Sequence, residues 1–280
     1  MAKVTIVPVA GTHRSRTEVR RSSIADAVVA RGFVPVTEIS ATYGVSTVTA
    51  RADLDALESR GLLRRIRGGA MAAGPRAVSE RPFEEARMEA AEAKVAIAAE
   101  AVSLLRPGMS VLLDVGTTTS CLAEELLRRE DLHDITVITS GLSIALALEP
   151  AVPRLQVIVT GGTLRPLQHS LVAPLATVMF EHIRADIAFI GCNGVDALAG
   201  ITNVNLPEAE IKRVMIRTAS HVVVVADGSK LGQVHLGRVA PAAQVDTIIT
   251  DADAPADALE ELRALDGPKI ILAAGPSGRD

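Results

Sequence analysis

The chain has 280 residues, of which 48% are hydrophobic, enough for one small and one larger domain with real cores, so general disorder is excluded. Its net charge of −4 is unevenly divided: residues 1–71 hold 11 Lys and Arg against 6 Asp and Glu, whereas residues 72–280 hold 18 against 27. The N-terminal part therefore carries +5 and the remainder −9. This asymmetry predicts that a polyanion is bound by the N-terminal part only.

The composition also indicates which kind of nucleic acid the chain binds and in which cellular compartment it is expected. Only 2% of the residues are aromatic, so stacking on single-stranded bases is disfavoured and duplex DNA is the expected partner. No apolar run approaches the roughly 20 residues of a membrane-spanning helix, and the opening segment is too mixed for a secretory signal. Cys121 and Cys192 belong to no metal-binding or CxxC motif. We therefore expect a cytoplasmic protein with buried, reduced cysteines and neither metal nor cofactor.

The first 19 residues mix small and polar groups and are predicted to be a flexible basic arm. Their arginines and those just beyond would either contact DNA phosphates or remain solvated: Arg14, Arg16, Arg20 and Arg21. Residues 22–31 and 36–42 then predict two helices, with Thr37 as a candidate cap of the second.

Residues 45–57 predict a DNA-recognition helix. Ser46 is a good N-cap, and Ala50, Leu54 and Leu57 fall on one face, which leaves a polar face outward. Residues 62–70 alternate weakly and end in two glycines, as a two-stranded wing would. Residues 20–71 therefore predict a winged helix-turn-helix domain, although a three-helix structural module is the alternative. The predicted DNA contacts are Thr37, Ser46, Thr47, Thr49, Arg51, Arg65, Arg67 and Gly68.

Residues 72–79 are predicted to be a linker, and residues 80–280 are predicted to form an α/β domain for effector sensing and oligomerisation. Residues 80–105 are predicted to be largely helical. Seven short apolar runs, mostly separated by helical segments, predict a mainly parallel sheet covered on both faces. These predicted strands are 111–113, 135–138, 155–159, 187–190, 222–225, 247–249 and 269–272.

The segments that follow the predicted strands are polar, and in open α/β sheets ligands bind beyond the carboxyl ends of the strands. Residues 114–120 lead into a predicted helix at 122–127, so Gly116, nearby hydroxyls and free helix amides predict a phosphate cradle, with a plain capped turn as the alternative. The predicted effector-binding residues are Asp114, Gly116, Thr117, Thr118, Thr139, Ser140, Gly161, Gly162, Arg165, Asp196, Glu208, Lys212, Asp227 and Lys230.

Two of these residues, Glu208 and Lys212, lie four apart on a predicted helix and so share a face. They are either a surface ion pair or the edge of the pocket, where Lys212 or Lys230 would neutralise the ligand. His169 could reach the effector from its loop, although a plain polar loop residue is the simpler interpretation.

Several ordered motifs between Arg20 and Asp251 together resemble the DeoR family of bacterial transcriptional regulators. They are V-S-x-x-T-x-R-x-D-L, R-x-x-G-G-A, E-R-P-F, D-V-G-T-T-T, T-G-G-x-L-R, E-x-x-x-K and D-G-S-K. The resemblance implies a Rossmann-like sensor domain similar to ribose-5-phosphate isomerase. It also implies a homodimer or homotetramer that represses carbohydrate-catabolism genes and responds to a phosphorylated sugar or related metabolite. Among the matching positions, Phe83 would pack and Arg87 would couple or contact an interface.

The chain departs from the resembled pattern at two places. Ala52 follows Arg51 where the family commonly has a second arginine, so the usual operator is not assumed. The loop at 191–196 keeps only Asp196 of the acidic residues that an isomerase uses for proton transfer, so binding without catalysis is expected. The alternatives are a sugar-phosphate isomerase with an added DNA-binding domain, and a DNA-binding protein whose larger domain only oligomerises.

Overall fold

The computed structural model describes residues 16–31, 33–59, 63–66, 68–72 and 80–274. The chain divides into two compact units, residues 1–78 and residues 79–280. Most of the predicted arm, Arg67, residues 73–79 of the predicted linker and residues 275–280 lie outside the described residues.

The N-terminal unit packs three helices and a small antiparallel sheet around one apolar core. Its elements are α1 (Arg16–Arg31), β1 (Phe33–Pro35), α2 (Val36–Tyr43), α3 (Thr47–Ser59), β2 (Leu63–Ile66) and β3 (Gly69–Ala72). The strand order is β1-β3-β2, and β2 with β3 forms the predicted wing. Ile24 of α1, Ile39 of α2 and Leu54 of α3 are fully buried in the core. These contacts confirm the predicted helix-turn-helix with a wing.

Local sequence explains the turn that precedes α3. Gly44 ends α2 in the left-handed region, at φ 63°, which glycine adopts without strain. Ser46 then caps α3, because its hydroxyl accepts a hydrogen bond from the Thr49 amide at 3.1 Å. Two predictions are corrected. The second helix begins at Val36, so Thr37 lies inside its first turn and does not cap it, and α1 begins at Arg16, within the predicted arm.

The second unit contains a seven-stranded main sheet and further strands outside that sheet. Its strands, in chain order, are β4 (Ser110–Leu113), β5 (Ile135–Thr139), β6 (Leu155–Val159), β7 (Thr163–Arg165), β8 (Ser170–Val172), β9 (Ala185–Gly191), β10 (Gly194–Asp196), β11 (Gly200–Asn203), β12 (Ala219–Val225), β13 (Gly237–Ala240), β14 (Thr247–Asp251) and β15 (Lys269–Ala273). Its helices are α4 (Phe83–Met88), α5 (Ala91–Val102), α6 (Thr117–Arg128), α7 (Leu142–Leu148), α8 (Leu175–Phe180), α9 (Leu206–Thr218) and α10 (Ala256–Arg263).

The main sheet has the order β15-β14-β12-β9-β4-β5-β6, and every neighbouring pair is parallel. Side chains alternate between its faces: Val111 and Leu113 pack with α5, α6 and α7, whereas Leu112 belongs to the core beneath α8, α9 and α10. The predicted parallel sheet with two covered faces is therefore confirmed.

The connections create a switch point in the sheet. After β4 the chain moves outward through β5 and β6, then returns to place β9 on the other side of β4 and moves outward through β12, β14 and β15. The connections after β4 and β9 therefore lead to opposite faces of the sheet, and the crevice is the switch point between the carboxyl ends of these two strands. In open α/β sheets, ligands bind at such a switch point.

Two predicted helices have different bounds. Residues 80–105 form two helices, α4 and α5, because Ala90 between them has a φ of 48°. The helix after β4 begins at Thr117, five residues earlier than predicted, so most of the predicted cradle is helical.

A separate three-stranded sheet, β10-β11-β13, lies in the same unit. Within the described ranges no helix is long and apolar enough to span a bilayer.

Candidate functional site

Helix α3 presents a polar surface at its N-terminal end. Ser46, Thr47 and Arg51 are exposed, and Thr49 is half-buried with its hydroxyl 2.9 Å from that of Ser46. Arg51 forms no hydrogen bond or ion pair with any described residue, so its guanidinium is available to a partner. The N-terminal turns of a recognition helix are the part that enters the major groove.

The wing is held against α3 by polar contacts. The guanidinium of Arg65 pairs with the carboxylate of Asp55, and the Arg65 amide donates to Glu58 at 2.7 Å. The predicted contact residue Arg65 is therefore already paired with α3. Gly68 is exposed at the tip of the wing, with a φ of 94°, and its carbonyl accepts from the Val36 amide at 3.0 Å. The wing thus has a fixed position beside α2 and α3.

A buried carboxylate that sequence reasoning missed lies behind this surface. Asp53 is only 1% exposed and accepts hydrogen bonds from Arg20 at 2.7 Å and Arg21 at 2.8 Å. Burial opposes ionisation, but the two arginines outweigh it, so the pKa of Asp53 is below its usual value. Free solvation of Arg20 and Arg21 is therefore wrong, because both join α1 to α3, while their contact with DNA phosphates stays a prediction.

In the larger unit, the crevice between β4 and β9 contains a buried ion pair. Lys212 of α9 pairs with Asp114, and the other donor to the same carboxylate oxygen is the Gly191 amide at 2.9 Å. Burial disfavours the charge of Lys212, but the carboxylates of Asp114 and Glu208 outweigh burial and raise its pKa. Asp114, Lys212 and the ends of β4 and β9 are therefore fixed together.

The start of α6 lies beside this pair. Gly116 precedes the helix with a φ of 136°, and a Cβ at Gly191 would lie 3.4 Å from the Val115 carbonyl, so the two loops approach closely. No side chain caps the helix. Thr119 and Ser120 donate their hydroxyls back to the Gly116 carbonyl, at 3.0 and 2.8 Å. The first-turn amides, including those of Thr117 and Thr118, therefore remain for an anion.

Glu208 belongs to a second buried cluster rather than to a pair with Lys212. Its carboxylate accepts from Arg165 at 2.6 Å and from the Ser170 hydroxyl at 2.8 Å. Arg165 also binds Glu80, the first residue of the E-R-P-F motif. Burial, reinforced by Glu208, raises the pKa of Glu80 although Arg165 opposes the shift. Because Glu208 and Lys212 are 5% and 2% exposed and bind different partners, the predicted surface ion pair is wrong.

The ends of β5 and β6 shape the same edge of the sheet. Thr139 is buried and accepts from the Gly141 amide at 3.0 Å, while the Ser140 carbonyl accepts from Leu171 at 2.8 Å. Gly161 follows β6, and a Cβ at Gly162 would lie 2.7 Å from the Val172 carbonyl. These predicted residues thus anchor the β7–β8 hairpin to the sheet edge.

The turn after β12 adds a cation. Asp227 caps the short turn Gly228–Lys230 by accepting from the Ser229 amide at 3.1 Å. Lys230 is half-buried, and its amine has no hydrogen bond or ion pair with any described residue. Burial raises the pKa of the nearby Cys192 thiol to about 12, whereas Lys212 and Lys230 act in the opposite direction. Lys230 is therefore close enough to the crevice to influence its electrostatics.

Asp196 has a local role in the structure. Its carboxylate accepts from the Leu198 amide at 2.9 Å and the Ala199 amide at 2.7 Å, which closes the turn between β10 and β11. No described contact joins this carboxylate to the crevice between β4 and β9. Among the described residues, no group of three or more His, Cys, Asp or Glu is arranged to hold a metal ion.

Comparison with known families agrees with these two units. Residues 20–75 match the DeoR-like helix-turn-helix domain, and residues 89–252 match the DeoR C terminal sensor domain. The chain belongs to the DeoR family. A transcriptional repressor assigned to the aga operon of Escherichia coli O157:H7 is 36% identical over 257 residues, which cover 91% of this chain and 94% of that protein.

Other relatives of this DeoR-family chain include the regulator GlpR of Haloferax volcanii, 36% identical, with 82% of this chain and 88% of that protein covered. The glycerol-3-phosphate regulon repressor of E. coli K12 is 27% identical, with 87% and 94% covered. Among solved structures, ribose 5-phosphate isomerase A of Methanocaldococcus jannaschii has a TM-score of 0.36 at 20% identity, covering 49% of this chain and 52% of that chain. The sorbitol operon regulator SorC of Klebsiella pneumoniae has a TM-score of 0.38 at 13% identity, covering 86% and 98%.

Sequence reasoning also missed a buried lysine of the DeoR-family sensor unit. Lys94 is 3% exposed and donates to the carbonyls of Ala86 at 2.6 Å and Glu89 at 2.5 Å, so it fastens the end of α4 to α5. Burial lowers its pKa. Its position within an alanine-rich helix was the available signal, because a lysine on a buried helix face requires polar partners.

Proposed function

We propose that this DeoR-family regulator represses carbohydrate-catabolism genes and that a phosphorylated sugar or similar metabolite controls its binding to DNA. One observation carries the proposal: the same chain combines an exposed recognition helix with an uncapped helix N-terminus at the switch point of a parallel sheet. The first suits a DNA major groove, and the second suits a small anion. A relative named as repressor of the glycerol-3-phosphate regulon supports a phosphorylated ligand.

On the DNA side, α3 would enter the major groove with Arg51 toward the bases, while the wing contacts the backbone. One unit of this size has a small contact surface, so we propose a homodimer or homotetramer that binds two half-sites of a palindrome. Arg67, in the predicted wing, is retained as a phosphate contact within this proposal.

On the effector side, the first-turn amides of α6 would hold the phosphate and Lys230 would neutralise it. The paired residues Asp114 and Lys212 would position the loops after β4 and β9. Arg165 and Glu208 would act from the neighbouring cluster, where a polar ligand group could compete for their hydrogen bonds. The remaining predicted residues at the strand ends would shape the pocket.

Control requires a difference in effector affinity between two states. An effector that binds both states with equal affinity does not change their populations. To change the population ratio of the two states from 1:99 to 99:1, the effector must bind the favoured state about 10⁴-fold more tightly. We propose that the effector favours the arrangement that cannot bind the operator.

We further propose that the sensor unit binds its ligand without catalysis. The carboxylates nearest the crevice, Asp114 and Glu208, are already bound to Lys212 and Arg165, and Asp196 closes a turn. Such groups are not free to shuttle a proton between sugar carbons. Incubation with pentose and hexose phosphates should produce no isomer. Turnover that is lost in Asp196→Asn would instead favour the isomerase alternative.

The deciding experiment is operator binding by the full-length chain, measured against a panel of sugar phosphates after an operator has been selected from random duplexes. We expect one class of sugar phosphate to release the DNA. Lys230→Gln should weaken the response about tenfold or more, because a charge-assisted contact is lost, while basal operator affinity is unchanged.

Lys269→Gln is the matched control, since Lys269 is an exposed lysine of the edge strand β15. It should respond to the effector like the parent protein. Full response in Lys230→Gln would show that the phosphate does not bind at this turn. Operator binding that no sugar phosphate alters would contradict effector control.

A further inference from the structure

Helix α3 carries an exposed valine on the face proposed for the major groove. Val48 is 73% exposed and lies in the first turn, between Thr47 and Thr49. The other large apolar residues of this helix, Leu54 and Leu57, are buried in the core. Single exposed apolar residues are common on protein surfaces, so the position of Val48 decides its meaning. The first turns of a recognition helix are where side chains reach base edges.

Val48 has an apolar neighbour on the same face. Ala52 is exposed and lies four residues later, so its methyl group is one turn above the valine. Arg51, three residues after Val48, lies beside both, and its guanidinium has no partner among the described residues. The exposed front of α3 therefore combines adjacent methyl groups with the guanidinium of Arg51.

The next turn of α3 is less available. Asp55 is paired with Arg65 of the wing, so one of its carboxylate oxygens is already bound to a cation. Asp53 faces inward and is bound by Arg20 and Arg21. The exposed positions that remain before Asp55 are Thr47, Val48, Arg51 and Ala52, with Thr49 half-buried.

The methyl groups of Val48 and Ala52 and the guanidinium of Arg51 each match a chemical group that bases display in the major groove. Thymine is the base that displays a methyl group there, and apolar side chains contact it, whereas arginine binds guanine O6 and N7. We propose that Val48, with Ala52 beside it, reads the 5-methyl group of a thymine next to the base pair bound by Arg51. This specificity assignment rests on the proposed DNA-binding function.

The experiment compares thymine with uracil, which lacks only the methyl group. Each thymine of the selected operator is replaced by deoxyuridine, one position per half-site at a time, and binding of the full-length chain is measured by anisotropy. One position should weaken binding about 3- to 5-fold for each half-site, the value of about one buried methyl group. Val48→Ala should weaken binding to the thymine operator equally and show no further loss with uracil.

Two further variants make the assignment sharper. Val48→Thr keeps the volume but replaces one methyl group by a hydroxyl, so it should retain part of the thymine preference. Val178→Ala removes an exposed valine from α8 in the other unit and should leave binding unchanged. Because Val48 is exposed, its variants should unfold at the same temperature as the parent chain.

The outcomes separate this assignment from the function on which it rests. Selected operators whose affinity never depends on a thymine methyl group would overturn the assignment while leaving DNA binding intact. The same holds if Val48→Ala keeps the full preference for thymine over uracil. Failure to enrich any sequence would overturn both the proposed function and the role of Val48.

Discussion

At the scale of single residues, Asp53 shows that a charged group within a recognition helix can be structural. It follows Ala50 by three residues and precedes Leu54, so it lies on the buried side of α3. Its two arginine partners come from α1, more than 30 residues earlier. The carboxylate therefore joins α1 to α3 and sets the orientation of the helix that would meet DNA.

Asp53→Asn should lower the free energy of unfolding of the N-terminal unit by about 1.5–3 kcal/mol at pH 7, the usual value of hydrogen bonds to a charged group. Because the pKa of Asp53 is lowered in the folded state, its stabilisation is present above the unfolded pKa of about 4 and is lost as the pH falls through the folded value. The difference between variant and parent should therefore shrink below pH 4.

Tyr43 provides the measurement. It is the sole tyrosine of a chain without tryptophan and lies in α2, so its fluorescence reports on the N-terminal unit. Urea titrations at several pH values give the free energies. Asp55→Asn is the control, because Asp55 is exposed on the same helix and should change stability far less. Equal stability of Asp53→Asn and the parent at pH 7 would refute the structural role.

Arg51 is the residue whose loss should damage DNA recognition most directly. Arg51→Ala should weaken specific operator binding about 5- to 150-fold for each half-site, the value of about 1–3 kcal/mol for one bidentate base contact. Arg51→Lys should recover only part of that loss, because an ammonium group cannot bind two acceptors in the planar arginine geometry.

The readout for Arg51 is operator affinity together with effector affinity, which should stay constant. Arg184→Ala is the matched control, since Arg184 is an exposed arginine of the other unit. If Arg51→Ala binds the operator like the parent, Arg51 does not contact DNA.

At the scale of elements, the ion pair of Asp114 with Lys212 joins the end of β4 to the first half of α9. The same carboxylate accepts from the Gly191 amide, so β9 is included. The relative positions of β4, β9 and α9 at the crevice therefore depend on one buried ion pair. Its partners are 98 residues apart, and removing either one would leave the other in the interior without its ion-pair partner.

Asp114→Asn and Lys212→Met should each lower the free energy of unfolding of the sensor unit by about 3–5 kcal/mol, the cost of an uncompensated buried charge or acceptor. The double variant should lose much less than the sum, because no lone charge remains. Urea unfolding followed by far-ultraviolet circular dichroism measures the cycle.

Glu210 and Arg213 supply the comparison, because they form an i, i+3 pair on the same helix with side chains about a third to a half exposed. Their single and double variants, Glu210→Gln and Arg213→Met, should add within about 0.5 kcal/mol, since exposed pairs interact weakly. Strict additivity at Asp114 and Lys212 would contradict the buried pair.

The elements were largely predictable because their signals are local. Buried parallel strands appear as continuous apolar runs, and residues 155–159 match β6 without error. The predicted cap at Ser46 needed only its neighbours in sequence. The partners of charged residues were not predictable, because Asp114 and Lys212 meet only after the sheet has folded. Spacing placed Glu208 and Lys212 on one face, but only the fold shows that they bind different partners.

At the scale of the whole molecule, the segment 80–88 is the first described part of the chain after the predicted linker, and several contacts hold it to one loop. Glu80 binds Arg165, and the Arg81 carbonyl accepts from Gln168 at 2.7 Å. The Phe83 ring packs on His169 with centroids 5.1 Å apart, which confirms Phe83 as a packing residue and gives His169 a structural contact. Arg165 ends β7, and Gln168 and His169 lie in the connection from β7 to β8, at the edge of the proposed effector site.

The contact between Glu80 and Arg165 should therefore transmit effector binding toward the DNA-binding unit. Arg165 also binds Glu208, so a ligand that forms hydrogen bonds with either residue changes the strength of the ion pair between Arg165 and Glu80. Glu80→Gln removes the charge but keeps the size of the side chain. We expect it to bind operator and effector like the parent, while the effector-induced loss of operator affinity falls about threefold or more, since allosteric coupling is typically about 5- to 150-fold.

Anisotropy of a labelled operator with and without saturating effector gives the coupling, and calorimetry gives the effector affinity of each variant. Glu85→Gln is the matched control, because Glu85 is an exposed acid of α4 without a described partner. A coupling factor in Glu80→Gln equal to that of the parent would exclude this contact as the route. If the effector affinity of the DNA-free protein fell together with the coupling, Glu80 would contribute to effector binding itself and not only to its transmission.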